Sequence, residues 1–332
     1  MLDPGLELCD LHIHVGGAVA PHILWSIAHE QGFKLPVSTY WEFRDLVTAK
    51  PDTVSSLDEY LAILHHWTEK IQSSPAAIER SVYEIIGKEF RSSGVSLIEL
   101  RFNPMKRNLG GERDLDHIIH AALRGMDRAC LEYGVRAGII FCLAREFPLE
   151  LNEILVKKAA KYKARGVVGI DLAGPESHTL ELGAEVHGYR DLFARARAAA
   201  LGTTVHTGET AHTAAPGVLA VLKELAPARI GHGIAAAASE EAVRKLAEAG
   251  TVLEICPSSN LRTHAVADLA DLGAALRKFE NAGVRYTINT DGPYLLNTHL
   301  RLEYQMLLDN KVLSEAEVER SVAVARAATF VR

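Results

Sequence analysis

Two histidines, His12 and His14, lie one residue apart at the end of the apolar run LELCDLHIHV, residues 6–15. Side chains at positions i and i+2 of a β-strand point to the same side, so both imidazoles would reach one point. Converging imidazoles are common metal ligands. A single HxH pair also fits two hydrogen-bonded histidines near a strand end, so further ligands elsewhere in the chain must decide between these interpretations.

More histidines and acids recur at the ends of later apolar runs. His206 and Glu209 end TTVHTGE, His232 lies in ARIGHG, and Asp291 ends RYTINTD. A single polar residue at a strand end is explained by helix capping. Capping does not readily explain histidines at three separate strand ends together with acids at others. The sequence therefore predicts that these residues form one site.

The donors of this site are nitrogen and oxygen atoms, without a thiolate. Such donors suit Zn²⁺ in a catalytic site that keeps one coordination position open; the candidate ligands are His12, His14, His206 and Asp291. A metal in such a site lowers the pKa of water towards about 7. Glu209 and His232 then remain as candidate acid and base groups.

Alternating strands and helices must position these side chains. Eight short apolar runs occupy residues 6–15, 95–104, 136–145, 167–174, 203–209, 228–233, 251–257 and 285–291. Between them, segments such as 114–134, 188–202 and 239–250 carry apolar residues at steps of three and four. This alternation predicts a parallel sheet, and eight strands predict a (β/α)8 TIM barrel with the polar residues at its C-terminal mouth. A doubly wound open sheet is the alternative.

One segment exceeds a usual strand-to-helix connection. Residues 20–94 are mostly helical by pattern, so we expect a cap beside the barrel mouth within a single domain of residues 1–332. Within it, LDEYLAILHHW places Leu57, Tyr60, Leu61 and Leu64 on one helical face.

The composition is that of a globular protein with a substantial core: 332 residues, 48% hydrophobic and 23% charged. A net charge of −6, without a cluster of Lys and Arg, argues against nucleic-acid binding. No apolar run approaches the roughly 18–20 residues of a membrane span, and the N-terminus lacks a signal-peptide pattern. The four cysteines form no CxxC pair. We therefore expect a reduced, cytoplasmic protein.

Seven motifs in order resemble the adenosine/adenine deaminase family of the amidohydrolase superfamily, from about residue 6 to about residue 330. They are LHIHVGGAV, ELRFNP, GIDLAGPE, TVHTGE, RIGHG, LEICPSSN and NTDGP. HxH and GHG are weak alone, whereas TVHTGE, LEICPSSN and NTD together are specific. The resemblance implies a (β/α)8 barrel with one zinc ion per chain.

Roles follow from this resemblance. It implies that His12, His14 and His206 bind zinc, and that Asp291 completes the site and orients the attacking hydroxide. Glu209 would protonate N1 of a purine and so make C6 electrophilic. His232 would take the proton of the hydroxide and steady the developing charge. Addition at C6 and loss of ammonia would complete a deamination.

The resemblance also implies substrate contacts. The backbone N–H of Gly174 would donate to purine N3. The cap region covers the substrate in this family, which makes Leu57, Tyr60 and Leu61 candidate contacts. Ordinary packing against the barrel would explain each of these three side chains taken singly.

Two glycines depart from the family pattern. Gly292 follows Asp291 where the family usually has a second acid that contacts purine N7. Gly16 stands where the family commonly has an acid, which in adenosine deaminases reaches the ribose hydroxyl. A glycine supplies no side-chain hydrogen bond, and losing a buried one costs about 1–3 kcal/mol. We therefore expect Gly16 and Gly292 to give this protein a substrate pocket that differs from the usual pocket of the family.

The sequence thus predicts a zinc-dependent aminohydrolase acting at C6 of an aminopurine nucleoside, converting an adenosine-like compound to its inosine-like product. An adenine deaminase, or a deaminase of a modified adenine nucleoside, is the alternative within the same class. A catalytically silent purine-binding protein is the alternative outside it, favoured only by Gly16 and Gly292. The expected partner is a small aminopurine, and the oligomeric state is left open.

Overall fold

Eight parallel strands in sequential order form the centre of the protein. The computed structural model describes residues 2–3, 5–50, 52–109, 113–176 and 186–332. The strands are β1 Leu8–His14, β2 Val95–Phe102, β3 Arg136–Ala144, β4 Val167–Ala173, β5 Gly202–Thr207, β6 Arg229–His232, β7 Val252–Ile255 and β8 Tyr286–Ile288. Each of them falls within, or within one residue of, a predicted apolar run.

Backbone hydrogen bonds between β1 and the segment after β8 close the sheet. The amide of His14 donates to the carbonyl of Asp291 at 2.7 Å, and the amide of Asp291 donates to the carbonyl of His12 at 2.8 Å. The predicted TIM barrel is confirmed. The alternative of an open doubly wound sheet is wrong, because an open sheet would leave its outer strands unpaired.

Helices surround the barrel and follow its strands. They are α6 Leu115–Tyr133, α7 Leu149–Tyr162, α8 Val186–Ala198, α9 Ala214–Glu224, α10 Glu240–Ala249, α11 Pro257–Arg262, α12 Leu269–Asn281, α13 Leu300–Asp309 and α14 Glu315–Ala328. The predicted helices end near the expected glycines: Gly134 and Gly250 adopt left-handed φ values at the C-terminal ends of α6 and α10.

The segment between β1 and β2 is helical, and its residue 51 lies outside the described residues. It forms α1 Pro21–Glu30, α2 Tyr40–Leu46, α3 Leu57–Ile63, a π-helical turn Leu64–Thr68, α4 Glu69–Ile71 and α5 Pro75–Ser93. α5 packs against α6 and β2 as a barrel helix. Tyr60 and Leu64 pack with Leu295 and Leu296, which follow β8, in an apolar cluster separate from the main core. This cluster holds α3 over the barrel mouth.

The main apolar core lies between the barrel and its helices. Within the described ranges, no helix is both long and apolar enough to cross a membrane. All four cysteines are free, and Cys9, Cys142 and Cys256 are buried.

Candidate active site

The predicted site residues meet at the C-terminal mouth of the barrel. His12 and His14 come from the end of β1, His206 from β5 and His232 from the end of β6, while Asp291 follows β8. The ring centroid of His12 lies 4.6 Å from that of His206 and 5.1 Å from that of His232. The parallel register brings residues almost 280 positions apart into one cluster.

The donor atoms of three histidines converge within bonding reach of a single ion. The Nε2 atoms of His14 and His206 are 3.0 Å apart, and His14 Nε2 lies 3.7 Å from Asp291 Oδ1. The ligand atoms of His12, His14 and His206 all lie within 4.8 Å of one another. Two nitrogens that share a tetrahedral zinc at about 2.0–2.1 Å would be separated by about 3.3 Å. The spacing therefore fits a divalent ion.

The lone pairs of these imidazoles point towards the centre of the cluster. His12 Nδ1 lies 2.8 Å from Glu254 Oε2, and His206 Nδ1 lies 3.0 Å from Asp171 Oδ2. An Nδ1–H that donates to a carboxylate leaves Nε2 free as a ligand, which is the usual arrangement behind metal-binding histidines. His12 Nε2 is buried and has no hydrogen-bond partner among the described residues.

The protonation states agree with this arrangement. Burial holds the pKa of His12 and of His14 well below the usual range, with the charges of Arg101 and of neighbouring histidines adding to the effect. Both rings are therefore neutral at physiological pH. A neutral imidazole is the form that binds a metal.

Arginines keep the supporting carboxylates ionised in the barrel interior. Arg101 donates to Asp171 at 3.0 Å and to Glu254 at 2.8 Å, and Arg229 donates to Glu254 at 2.6 Å. Burial raises the pKa of both acids, but nearby positive charges lower it by more. His206 and Arg101 hold the pKa of Asp171 below its usual range. Arg101 and Arg229 do the same for Glu254. These carboxylates can therefore accept hydrogen bonds from the histidines.

Glu209 and His232 form a second pair of functional groups at the same end of the barrel. His232 Nε2 lies 3.4 Å from Glu209 Oε2. Burial, together with the negative charges of Glu176 and Asp291, raises the pKa of Glu209 well above its usual value, so its carboxyl can carry a proton. Burial lowers the pKa of His232, which keeps the ring neutral and able to accept one. The pair therefore joins an acid and a base.

Two site residues have unusual backbone conformations. His232 has φ 60° and Asp291 has φ 61°, in the left-handed region that residues other than glycine rarely adopt. Such strain concentrates at functional positions. Two side chains hold these residues: Ser259 Oγ donates to Asp291 Oδ2 at 2.7 Å, and the Asn260 amide lies 3.1 Å from His232 Nδ1.

A cavity lies between this cluster and the cap. Its lining includes all the predicted site residues except His12, Gly16 and Gly292. The complete lining also contains two others, Leu64 and Ala173, beside His14, Leu57, Tyr60, Leu61, Gly174, His206, Glu209, His232 and Asp291. The residues predicted on α3 therefore lie above the polar cluster, where a bound molecule would contact both.

Gly174 reaches this cavity directly after β4. Its φ of 102° is left-handed, and a Cβ at this position would lie 2.5 Å from Glu146 Oε2. Only a residue without a side chain fits here. The backbone of Gly174 is consequently open to the cavity.

The two glycines that depart from the family pattern lie outside the lining of this cavity. Gly292 packs against Tyr60 of α3. Gly16 lines an adjoining cavity, and a Cβ on this residue would lie 3.2 Å from Leu64 Cδ2 and 3.4 Å from Arg107 Nη2. In both places a side chain from another segment occupies the space over the glycine.

A model of the adenosine deaminase family matches residues 7–331 of this chain. The chain belongs to the adenosine deaminase family. It is 33% identical to an adenosine deaminase from Haemophilus ducreyi over 329 residues, which cover 97% of this chain and 91% of that protein. With such relatives, the chain is a hydrolytic deaminase.

Two solved structures share the fold of this adenosine deaminase family member. One is an adenine deaminase from Arthrobacter aurescens, with a TM-score of 0.84 and 21% identity over 98% of this chain and 94% of that one. The other is an amidohydrolase from Burkholderia ambifaria solved with bound zinc, with a TM-score of 0.84 and 21% identity over 98% and 86%. Enzymes of this fold include a metal-containing example.

Several residues that hold the family site together received no role in the sequence-based prediction, although Asp171 and Glu176 were expected near the barrel mouth. Asp171, Glu254, Ser259 and Asn260 orient the predicted ligands and the predicted base. Glu176 accepts hydrogen bonds from the amides of residues 209 and 210, at 3.3 and 2.8 Å. All five lie in motifs already noted, GIDLAGPE and LEICPSSN. For Asp171 on β4 and Glu254 on β7, a buried polar residue on an otherwise apolar strand was the available signal.

Proposed function

We propose that this adenosine deaminase family member hydrolyses the C6 amino group of an aminopurine nucleoside, converting an adenosine-like compound to its inosine-like product and ammonia. One observation carries the proposal: His14, His206 and Asp291 line one cavity with Glu209, the proposed proton donor, and His232, the proposed base, while the ligand atom of His12 lies within 4.8 Å of those of His14 and His206. The substrate ring would lie between them and α3.

The metal part of the proposal assigns four ligands to one zinc ion per chain: His12, His14, His206 and Asp291. The free, buried Nε2 of His12 and the inward Nε2 atoms of His14 and His206 support this assignment. When bound, zinc would lower the pKa of water so that hydroxide is available near neutral pH.

The chain's own residues would move the protons. Glu209 donates its proton to purine N1, which draws electrons from C6 and makes that carbon electrophilic. The oxygen of water bonds to C6 while His232 accepts one water proton and Asp291 orients the oxygen. The C6–N bond then breaks as the amino group takes up the proton from His232 and leaves as ammonia. The remaining water proton returns to Glu209 as the C6 carbonyl forms.

Binding contacts complete the proposal. The backbone N–H of Gly174, a residue that lines the cavity, would donate to purine N3, and Leu57, Tyr60 and Leu61 would cover the ring. Burial of an apolar ring between α3 and the barrel excludes bulk water, which strengthens the electrostatic contacts in the site.

The substrate alternatives differ at the sugar end of the molecule. Adenine and modified adenine nucleosides remain candidates because Gly16 provides no acid for a ribose hydroxyl. A second candidate is an anionic adenine compound such as a nucleotide: Lys106 and Arg107, together with His65, line the adjoining cavity beside Gly16. Glu69 also lines this cavity and pairs with Arg107 at 2.9 Å, so the surroundings are of mixed charge.

A catalytically silent binder would have no need for the acid and base pair.

We propose a reduced, cytoplasmic setting, in keeping with four free cysteines in the chain. A role in purine metabolism follows from the proposed substrate class.

A steady-state screen of the zinc-loaded protein tests the function. Ammonia release is measured with adenosine, adenine, N6-methyladenosine and adenosine 5′-monophosphate. Turnover of at least one nucleoside is expected, and methylamine would leave in place of ammonia from the N6-methyl compound. If the zinc-loaded protein released neither amine from any of the four, the proposal would be wrong.

A further inference from the structure

Resting on the deamination proposed above, we propose that Tyr60 recognises N7 of the purine ring. Its hydroxyl extends from α3 into the space that Gly292 leaves open and would donate a hydrogen bond to N7. Nothing in the proposed chemistry assigns a partner to this hydroxyl or to N7. The assignment makes Tyr60 a specificity residue and not only part of a cover.

The first observation is steric. A Cβ built on Gly292 would overlap Tyr60 Oη, and a Cβ built on Gly17 would lie 3.5 Å from the same oxygen. The hydroxyl therefore occupies the position at which a side chain of residue 292 would begin. A tyrosine at position 60 and a side chain at position 292 exclude each other.

The second observation is an incomplete hydrogen bond. Tyr60 is 3% exposed, and its Oη atom has no hydrogen-bond partner in the described part of the chain. Burying a hydroxyl without a partner costs free energy that a phenylalanine would avoid. The ring of Tyr60 packs in the apolar cluster with Leu64 and Leu295, so packing alone does not need the hydroxyl. A ligand in the cavity that Tyr60 lines together with Glu209 and Asp291 would complete its hydrogen bonding.

The position of Tyr60 in the barrel determines which purine atom its hydroxyl would contact. An aminopurine nucleoside has three free ring acceptors, N1, N3 and N7, because N9 carries the sugar. Glu209 is assigned to N1, and Gly174, directly after β4, is assigned to N3. Gly292 follows β8, and in an eight-stranded barrel β8 faces β4 across the axis. The remaining acceptor, N7, is on the side of the ring opposite N3, towards Tyr60.

The protonation state of the hydroxyl suits this role. Burial raises the pKa of Tyr60 well above its usual value, and the negative charges of Asp291 and Glu209 act in the same direction. Tyr60 therefore keeps its proton throughout the physiological range. A protonated phenol donates a hydrogen bond, and N7 of a purine can only accept one.

The test combines the Tyr60→Phe substitution in the protein with replacement of N7 by CH in the substrate. Adenosine and 7-deazaadenosine are compared as substrates of the zinc-loaded wild type and of the variant. With the wild type, kcat/KM should fall by about tenfold or more on loss of N7. Tyr60→Phe should lower kcat/KM for adenosine by a similar factor and leave that for 7-deazaadenosine nearly unchanged. Comparing both substrates in both proteins cancels the electronic effect of the CH group.

Tyr40→Phe provides the matched control. Tyr40 begins α2 of the same cap and lies outside the catalytic cavity, so its hydroxyl should not affect the ratio of the two substrates. Equal losses for both substrates on Tyr60→Phe, or no loss for either, would overturn the assignment of N7 to Tyr60.

A binding measurement separates this inference from the proposed function. Purine riboside and 7-deazapurine riboside are titrated into wild type and Tyr60→Phe. One outcome is that the wild type binds purine riboside more tightly than 7-deazapurine riboside, with this preference lost in Tyr60→Phe and no aminopurine turned over by either protein. That result would support the contact and contradict the deamination. Turnover without a preference that depends on Tyr60 would contradict the contact alone, and absence of both would contradict both.

Discussion

The Nδ1 atom of His12 lies 2.8 Å from Oε2 of Glu254, deep in the barrel beneath the catalytic cavity. Glu254 in turn accepts hydrogen bonds from Arg101 and Arg229. The carboxylate is therefore held in place and charged, and it fixes which nitrogen of His12 faces the cavity. The proposed metal ligand His12 on β1 thus depends on residues from β2, β6 and β7.

Glu254→Gln should weaken zinc binding by roughly ten- to a hundredfold, because a neutral amide orients and polarises His12 less well than a carboxylate does. Zinc affinity is measured by competition with a chelator, and circular dichroism checks that the variant is folded. Glu248→Gln, an exposed acid on α10, is the matched control. Wild-type zinc affinity in folded Glu254→Gln would contradict the supporting role.

Glu209→Gln should lower turnover by about two to four orders of magnitude, the usual contribution of a general acid. The amide preserves the shape of the side chain but has no acidic proton for N1. Binding of purine riboside, measured by calorimetry, should persist. A variant that kept wild-type turnover would show that another group supplies the proton.

The pH dependence of kcat/KM should report the pKa of Glu209 on its alkaline side. The reaction needs protonated Glu209, and burial followed by the charge of Glu176 raises that pKa. Glu176→Gln removes one negative charge, so the pKa of Glu209 falls and the alkaline limb of the profile should move to lower pH. A limb that stays in place or moves to higher pH would contradict this electrostatic coupling.

Gly292→Ala should lower kcat/KM markedly in the wild-type background, because the added methyl group overlaps Tyr60 Oη. The same change in the Tyr60→Phe background should cost much less, since the colliding oxygen is gone. Kinetics of the two single variants and the double variant measure this coupling. Additive effects would mean that the two residues do not compete for one space.

Much of the fold could be predicted from the sequence because buried parallel strands have an unmistakable pattern. The run before His14 is mostly apolar and the strands that end near His14 and His206 are buried on both faces, as strands covered by helices must be. The last strands are shorter than predicted: β8 ends at Ile288, before Asp291. The left-handed conformations of His232 and Asp291 turn the chain at those strand ends, and residue type alone did not indicate them.

The clustering of His12, His14, His206 and His232 could be predicted because these histidines lie at three strand ends, and parallel strands of a barrel end at one mouth. The residues behind them could not be assigned, because the pairing of Asp171 with His206 depends on the register of β4 and β5. The contact between Tyr60 and Gly292 depends on how α3 docks across the barrel. Side chains that meet through tertiary packing leave no periodic signal in the sequence.

The central claim is that His12, His14, His206 and Asp291 bind one catalytic zinc ion. The most direct measurement is the zinc content of the purified protein, by elemental analysis, beside that of His206→Ala. The wild type should hold about one zinc per chain, and the variant should lose most of it while remaining folded. Full zinc occupancy in His206→Ala, or no zinc uptake by the wild type, would contradict the account.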